Sequence, residues 1–227
     1  GQFRITVGSD QASVQKLLLF TDQYRQNITQ AVEILASNTA KEFTLADFPL
    51  LKLDHPSLER VNRQHLPRVG LRPNQIEDMY PCSPLQQGLL MSQARKQGSY
   101  NVSIGWEVVS CGANDTVDIG RLLSSWQKVV DHHPALRTIF TDEFGGKEPY
   151  AQIVLRRPRA EVSVKPCSDV DVASVLEETI ELGTNPVVPP HRFSINVTAD
   201  DRVFCRVDAS HTIVDGVSKS LILRDLK

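Results

Sequence analysis

From Tyr80 onward, the spacing of apolar residues switches repeatedly between two residues and three to four, and this switching constrains the fold more than any other feature of the chain. Tyr100, Val102, Ile104, Trp106 and Val108 alternate with mostly polar residues, as one side of a half-buried strand does. Residues 117–131 instead carry Ile119, Leu122, Leu123, Trp126, Val129 and Val130 at helical spacing. Leu136–Asp142 and Tyr150–Leu155 read as a hairpin around Gly145-Gly146, and Glu161–Val164 as a further strand. Phe193–Thr198 and Arg202–Asp208 read as a second hairpin. Helices are expected over Ser83–Lys96, Val170–Leu182 and Asp215–Lys227, the last with Val217, Leu221, Ile222 and Leu226 turned inward. Strand pairs separated by helices imply an α+β fold, a mixed β-sheet packed with helices.

Ahead of that body, Val14, Leu17, Leu18, Tyr24, Ile28, Val32 and Leu35 predict one long amphipathic helix over residues 12–36, with Ser9 or Asp10 able to cap it. Residues 41–72 are punctuated by Pro49, Pro56 and Pro67, and read either as a linker wrapped against the body or as a helical N-terminal subdomain. The expected division is therefore a helical linker segment over residues 1–78 and a lobe over residues 79–227. The last helix reaches Lys227 without a capping glycine or a following proline, so the chain reads as part of something longer.

Composition narrows the function. With 25 basic against 27 acidic residues in 227, the chain has no positive excess with which to bind nucleic acid. No apolar run approaches the roughly 18 residues of a membrane span, and residues 1–8 do not read as a signal peptide, so a cytoplasmic protein is expected. The spacing of Cys82, Cys111, Cys167 and Cys205 fits no metal pattern, and these residues are expected as reduced thiols packed like small hydrophobes.

Chemistry concentrates in Val207-Asp-Ala-Ser-His-Thr-Ile-Val-Asp-Gly-Val-Ser218. His211 follows a β-branched strand and precedes a helix, so its imidazole, a group able to take or give a proton, is presented on a short loop between rigid elements. Asp215 falls at a helix start, where a carboxylate is stabilised, and Gly216 permits close backbone approach. Arg137, in the apolar run Leu136-Arg-Thr-Ile-Phe140, needs an anionic partner if buried, and Asp215 is the expected one. In a third segment, Ser83-Pro-Leu-Gln86, the N-cap, first-turn proline and capping-box glutamine account for the residues present.

In order and spacing, these three segments resemble the first three core motifs of non-ribosomal peptide synthetase condensation domains. Ser83-Pro-Leu-Gln-Gln-Gly-Leu-Leu90 is similar to the first motif, His133-Pro-Ala-Leu-Arg-Thr-Ile-Phe140 to the second and Ser210-His-Thr-Ile-Val-Asp-Gly216 to the third. Glu42–Leu50 resembles the segment that precedes such domains after a carrier domain. The resemblance implies a chloramphenicol-acetyltransferase-like fold in which this chain is the N-terminal lobe of a V, with the C-terminal lobe absent and the isolated half inactive. It implies His211 as the catalytic histidine, Asp215 as the structural aspartate and Arg137 as its partner. No cofactor is expected to bind directly; substrates arrive as thioesters on the phosphopantetheine arm of a peptidyl carrier domain of the same synthetase. Three departures stand out: Ser210 replaces the first motif histidine, and His132 and Pro134 stand where the bacterial pattern has Arg and Glu. The Ser210-His-x-x-x-Asp-x-x-Ser218 form resembles the terminal, cyclising condensation-like domains of fungal synthetases, which implies amide bond formation with release of a macrocycle. Alternatives are a chain-elongating condensation domain, an epimerisation domain, an acyltransferase using acyl-CoA, and a non-catalytic platform for carrier docking.

Overall fold

The structure is a computed structural model, and it describes residues 11–37, 42–110, 116–142, 144, 149–168, 173, 177–178, 180–182 and 185–226. The chain divides into two compact units, residues 1–42 and residues 43–227. The first holds helix α1 (Gln11–Ser37), whose Leu18, Leu19, Phe20, Val32 and Leu35 are exposed. The helix matches the expectation from periodicity, while both of its candidate caps lie outside the described residues.

The second unit begins at Phe43, so the boundary expected between residues 78 and 79 falls inside it. Helix α2 (His55–Arg60) is capped by Asp54, whose carboxylate accepts from the Ser57 amide at 2.9 Å, with Pro56 in the first turn. It continues through a π-helical turn at Val61–His65 and a last turn at Leu66–Arg68. Phe48, Val61, Leu66 and Leu71 of this region are buried in one cluster with Ile76, Met79, Ile139, Ile153 and Leu155. The proline-rich segment thus packs its apolar side chains against the first sheet, and each such burial stabilises by roughly 1.5–3 kcal/mol.

The remaining elements are strand β1 (Ile76–Pro81), helix α3 (Pro84–Arg95), β2 (Asn101–Val108), helix α4 (Ile119–His132), β3 (Thr138–Thr141), β4 (Ala151–Leu155), β5 (Val162–Pro166), β6 (His191–Val197), β7 (Val203–Ser210) and helix α5 (Gly216–Leu226). They build two sheets. One is antiparallel with order β1-β4-β3 and pairs Met79 with Ile153 and Ile139 with Ile153. The other is mixed with order β2-β7-β6-β5; β5 runs parallel to β6 and the other pairs are antiparallel. Both expected hairpins form, although Gly145-Gly146 lies outside the described residues, as does most of the helix expected at Val170–Leu182.

Helices α4 and α5 share the core of the second sheet, where Trp126, Val129, Val130 and Ile222 meet Phe193, Ile195, Cys205 and Val207. Trp126 stacks on Phe193 with ring centroids 4.9 Å apart. The inward set expected for α5 is corrected: Ile222 is 5% exposed and Leu226 packs on the core, but Val217 is 73% and Leu221 41% exposed. Residues 217 and 221 form one i, i+4 row and 222 and 226 another, and only the second row faces the sheet.

Candidate functional site

Strand β7 is buried along its whole length and ends at Ser210, so the chain is delivered rigidly to the point where it turns. The turn closes through Ile213 N–H and Val214 N–H, which donate to Ser210 O at 3.1 and 3.2 Å. The neighbouring strand fixes it from the side, with His211 N–H donating to Tyr100 O at 2.8 Å. The His211 side chain is exposed, and its Nδ1 lies 3.1 Å from Val214 O. A carbonyl can only accept, so that contact places the proton of the neutral ring on Nδ1 and leaves the lone pair on Nε2. Among the described residues, nothing bonds to Nε2. The structure therefore presents one imidazole nitrogen as an available base, with the ring orientation held by the backbone three residues ahead.

Ser210 and His211 point to opposite sides, as adjacent residues at a strand end do. Ser210 is buried; its Oγ lies 2.8 Å from Thr212 Oγ1 and accepts from Gln93 Nε2 at 2.8 Å and from Thr212 N–H at 3.2 Å. A hydroxyl so engaged braces the turn. Asp215 does the same from the other end: Oδ1 accepts from Val217 N–H at 3.1 Å, Ser218 N–H at 2.7 Å and Ser218 Oγ at 2.7 Å. Ser218 Oγ in turn accepts from Asp215 N–H at 2.8 Å, which completes a reciprocal cap on α5. The Ser218 amide and hydroxyl hold the Asp215 carboxyl below the usual carboxylate range. At Gly216 a Cβ would meet no atom within 4 Å, so no close backbone approach is present there.

The expected Arg137–Asp215 ion pair is absent among the described residues. Arg137 is 4% exposed and bonds Glu77 instead, with Nη1 2.6 Å from Oε2, and it also donates to Leu155 O at 2.6 Å. The reason is topological. Arg137 ends the 3-10 turn Pro134–Arg137 that feeds β3 in the three-stranded sheet, whereas Asp215 opens the helix packed on the other sheet. The charge argument for a buried guanidinium needing an anion stands, but the anion comes from β1.

Two glutamines of helix α3 belong to the site; the sequence marked Gln86 only as a capping residue and did not single out Gln93. Gln86 Oε1 accepts from Ser83 N–H at 2.9 Å, the expected capping box, while its Nε2 donates to Thr212 O at 3.0 Å. One side chain therefore caps α3 and holds the histidine turn. Gln93, two turns along, reaches Ser210. Beside them a cavity of about 430 Å³ is lined by Leu90, Gln93, Phe140, Tyr150, Ser210 and Thr212, the last two being the chain neighbours of His211, which does not itself line it. Cys82 and Cys205 are buried free thiols pushed up to about 12 by burial, which makes them inert packing groups. No helix among the described residues is long and apolar enough to cross a membrane.

Comparison with known proteins is consistent with this geometry. The condensation-domain family model matches residues 76–227. The chain is 37% identical over 208 residues to Nonribosomal peptide synthetase 1 of Aspergillus fumigatus, covering 88% of this chain and 3% of that protein. It is 40% identical over 190 residues to Nonribosomal peptide synthetase nlsA of Emericella nidulans, covering 83% of this chain and 3% of that protein. It thus spans a few hundredths of the length of these curated relatives. Among solved structures, the condensation domain from Monacolin K polyketide synthase MokA is similar with a TM-score of 0.54 at 19% identity, over 67% of this chain and 34% of that one. The structure described as holo T3CT is similar with a TM-score of 0.58 at 23% identity, over 79% of this chain and 40% of that one. The fold is accordingly the chloramphenicol-acetyltransferase-like α+β arrangement of condensation domains. With a family match over two thirds of its length and fungal relatives at 37% and 40% identity, the chain belongs to the condensation-domain family of fungal nonribosomal peptide synthetases.

Proposed function

We propose that this chain forms the N-terminal lobe of a condensation domain that makes an amide bond from a carrier-bound peptidyl thioester, with His211 as its general base. The observation that carries the reading is the exposed imidazole whose Nδ1 is tied to Val214 O, leaving Nε2 to accept a proton. As the amine nitrogen attacks the thioester carbon, its proton passes to Nε2. The tetrahedral intermediate then collapses, the C–S bond breaks, and the phosphopantetheine thiolate takes the proton back. Ser210, Asp215, Ser218 and Gln86 act as positioning residues, since each fixes the turn rather than offering a group to the reaction. Arg137 supports the three-stranded sheet. The partners in this reading are a peptidyl carrier domain of the same synthetase and a C-terminal lobe that supplies the opposite wall. That this chain spans only 34–40% of the similar solved chains supports a second lobe.

The finer reading is cyclising release, in which the amine belongs to the same peptide. The Ser210-His-x-x-x-Asp-x-x-Ser218 pattern supports it, and both serines are tied into the turn that presents the histidine. A cytoplasmic setting goes with this reading, because the carrier-bound thioesters it consumes are intracellular intermediates.

The deciding experiment is His211→Ala in the intact synthetase, with single-turnover product formation and carrier binding measured side by side. The expected result is a rate lower by ~10²–10⁴ with carrier binding retained. Unchanged product formation would leave only a carrier-docking role for this lobe.

A further inference from the structure

We propose that His132, His133 and Asp225 form a binding site for a divalent transition-metal ion, zinc by preference, which staples α4 to α5. One ligand atom from each residue lies within 4.8 Å of the other two, and His133 Nε2 is already 3.0 Å from Asp225 Oδ2. A tetrahedral ion bound at about 2.0–2.1 Å separates its ligand atoms by roughly 3.3 Å. Small rotations of the exposed His132 ring and of the partly exposed His133 and Asp225 side chains close the remaining gap.

Consecutive residues inside a helix point about 100° apart and do not converge on one ion. Here the helix ends between them. His132 is the last residue of α4, and His133 leaves it with φ −98° and ψ 105° ahead of Pro134. That break turns the two rings edge to face, with centroids 5.0 Å apart. The third ligand comes from α5, so binding joins two helices that already share a core.

The donor set is two imidazoles and a carboxylate, which suits zinc, cobalt or nickel and not the all-oxygen shell preferred by calcium or magnesium. The carboxylate is oriented for the task. Arg224 donates to Asp225 Oδ1 from Nε and Nη2, both at 3.2 Å, and so leaves Oδ2 turned toward His133. The Arg224 charge opposes a cation, while the C-terminal end of α4 favours one. His132 is the discriminating residue, because the His133–Asp225 contact needs no help from it.

The test uses the full 227-residue chain with Co²⁺ and Zn²⁺ as probes. Co²⁺ is expected to give visible ligand-field absorption that saturates at one equivalent and is displaced by Zn²⁺, and Zn²⁺ is expected to raise the unfolding temperature. His132→Ala, an exposed position, is expected to weaken both effects at least about tenfold while leaving metal-free unfolding unchanged. Asp225→Asn is expected to do the same to metal binding. Absence of saturable Co²⁺ or Zn²⁺ binding overturns the proposal, as does a His132→Ala chain that binds like the parent.

Discussion

His191 and His211 sit 20 residues apart in sequence and show what environment does to one side-chain chemistry. His211 is exposed on a turn and keeps a nitrogen free. His191 is buried beside Trp126, with Nε2 2.8 Å from Leu136 O, and burial holds its pKa below the ordinary 6.5. The folded state therefore refuses a proton that the unfolded chain accepts. Below about pH 6.5 the unfolded state binds more protons than the native one, so stability falls as pH drops. His65, held down mainly by burial, acts in the same direction. Urea midpoints are expected to fall between pH 7 and pH 5.5, and His191→Gln to flatten that fall. An equal slope in both proteins would contradict the assignment. The paired carboxylates act lower still: for Asp215, whose pKa is depressed, stability is present above its unfolded pKa and is lost as pH falls through the folded one.

Among the elements, the strands and helices with strong local signals were legible and their partners were not. Helix α3 starts where Ser83, Pro84 and Gln86 say it should, because a cap is written within four residues. Arg137 was recognised as needing an anion, but the choice between Glu77 and Asp215 depends on which sheet each element joins, and composition carries no record of that. The structure makes the choice testable by double-mutant cycles on thermal stability. Glu77→Ala is expected to cost roughly 1–3 kcal/mol, because it leaves a buried guanidinium short of its carboxylate, with Glu77 itself partly solvated. Glu77→Ala and Arg137→Met are expected to couple strongly. Asp215→Asn and Arg137→Met are expected to add independently; coupling between that second pair would restore the ion pair the sequence suggested. The outward rows of α5 teach the same lesson, since Val217 and Leu221 are as apolar as Ile222 and only packing separates them.

At the scale of the whole molecule, the site is a junction of α3, β4 and the turn after β7 rather than a feature of one element. Gln86 reaches from the start of α3 to the turn that follows β7, 126 residues later, and Gln152 of β4 lies 3.4 Å from the same amide. The motif order in the sequence singled out His211. It did not reveal that the first segment's side chains hold the third, because a contact over that separation leaves no local periodicity. The central claim is that this scaffold fixes the His211 ring with its proton on Nδ1 and its lone pair on Nε2. The direct measurement is the ¹⁵N chemical shifts of the neutral His211 imidazole, assigned by comparison with His211→Ala. The account predicts a protonated Nδ1 and an unprotonated Nε2, and a spectrum with the proton on Nε2 would contradict it.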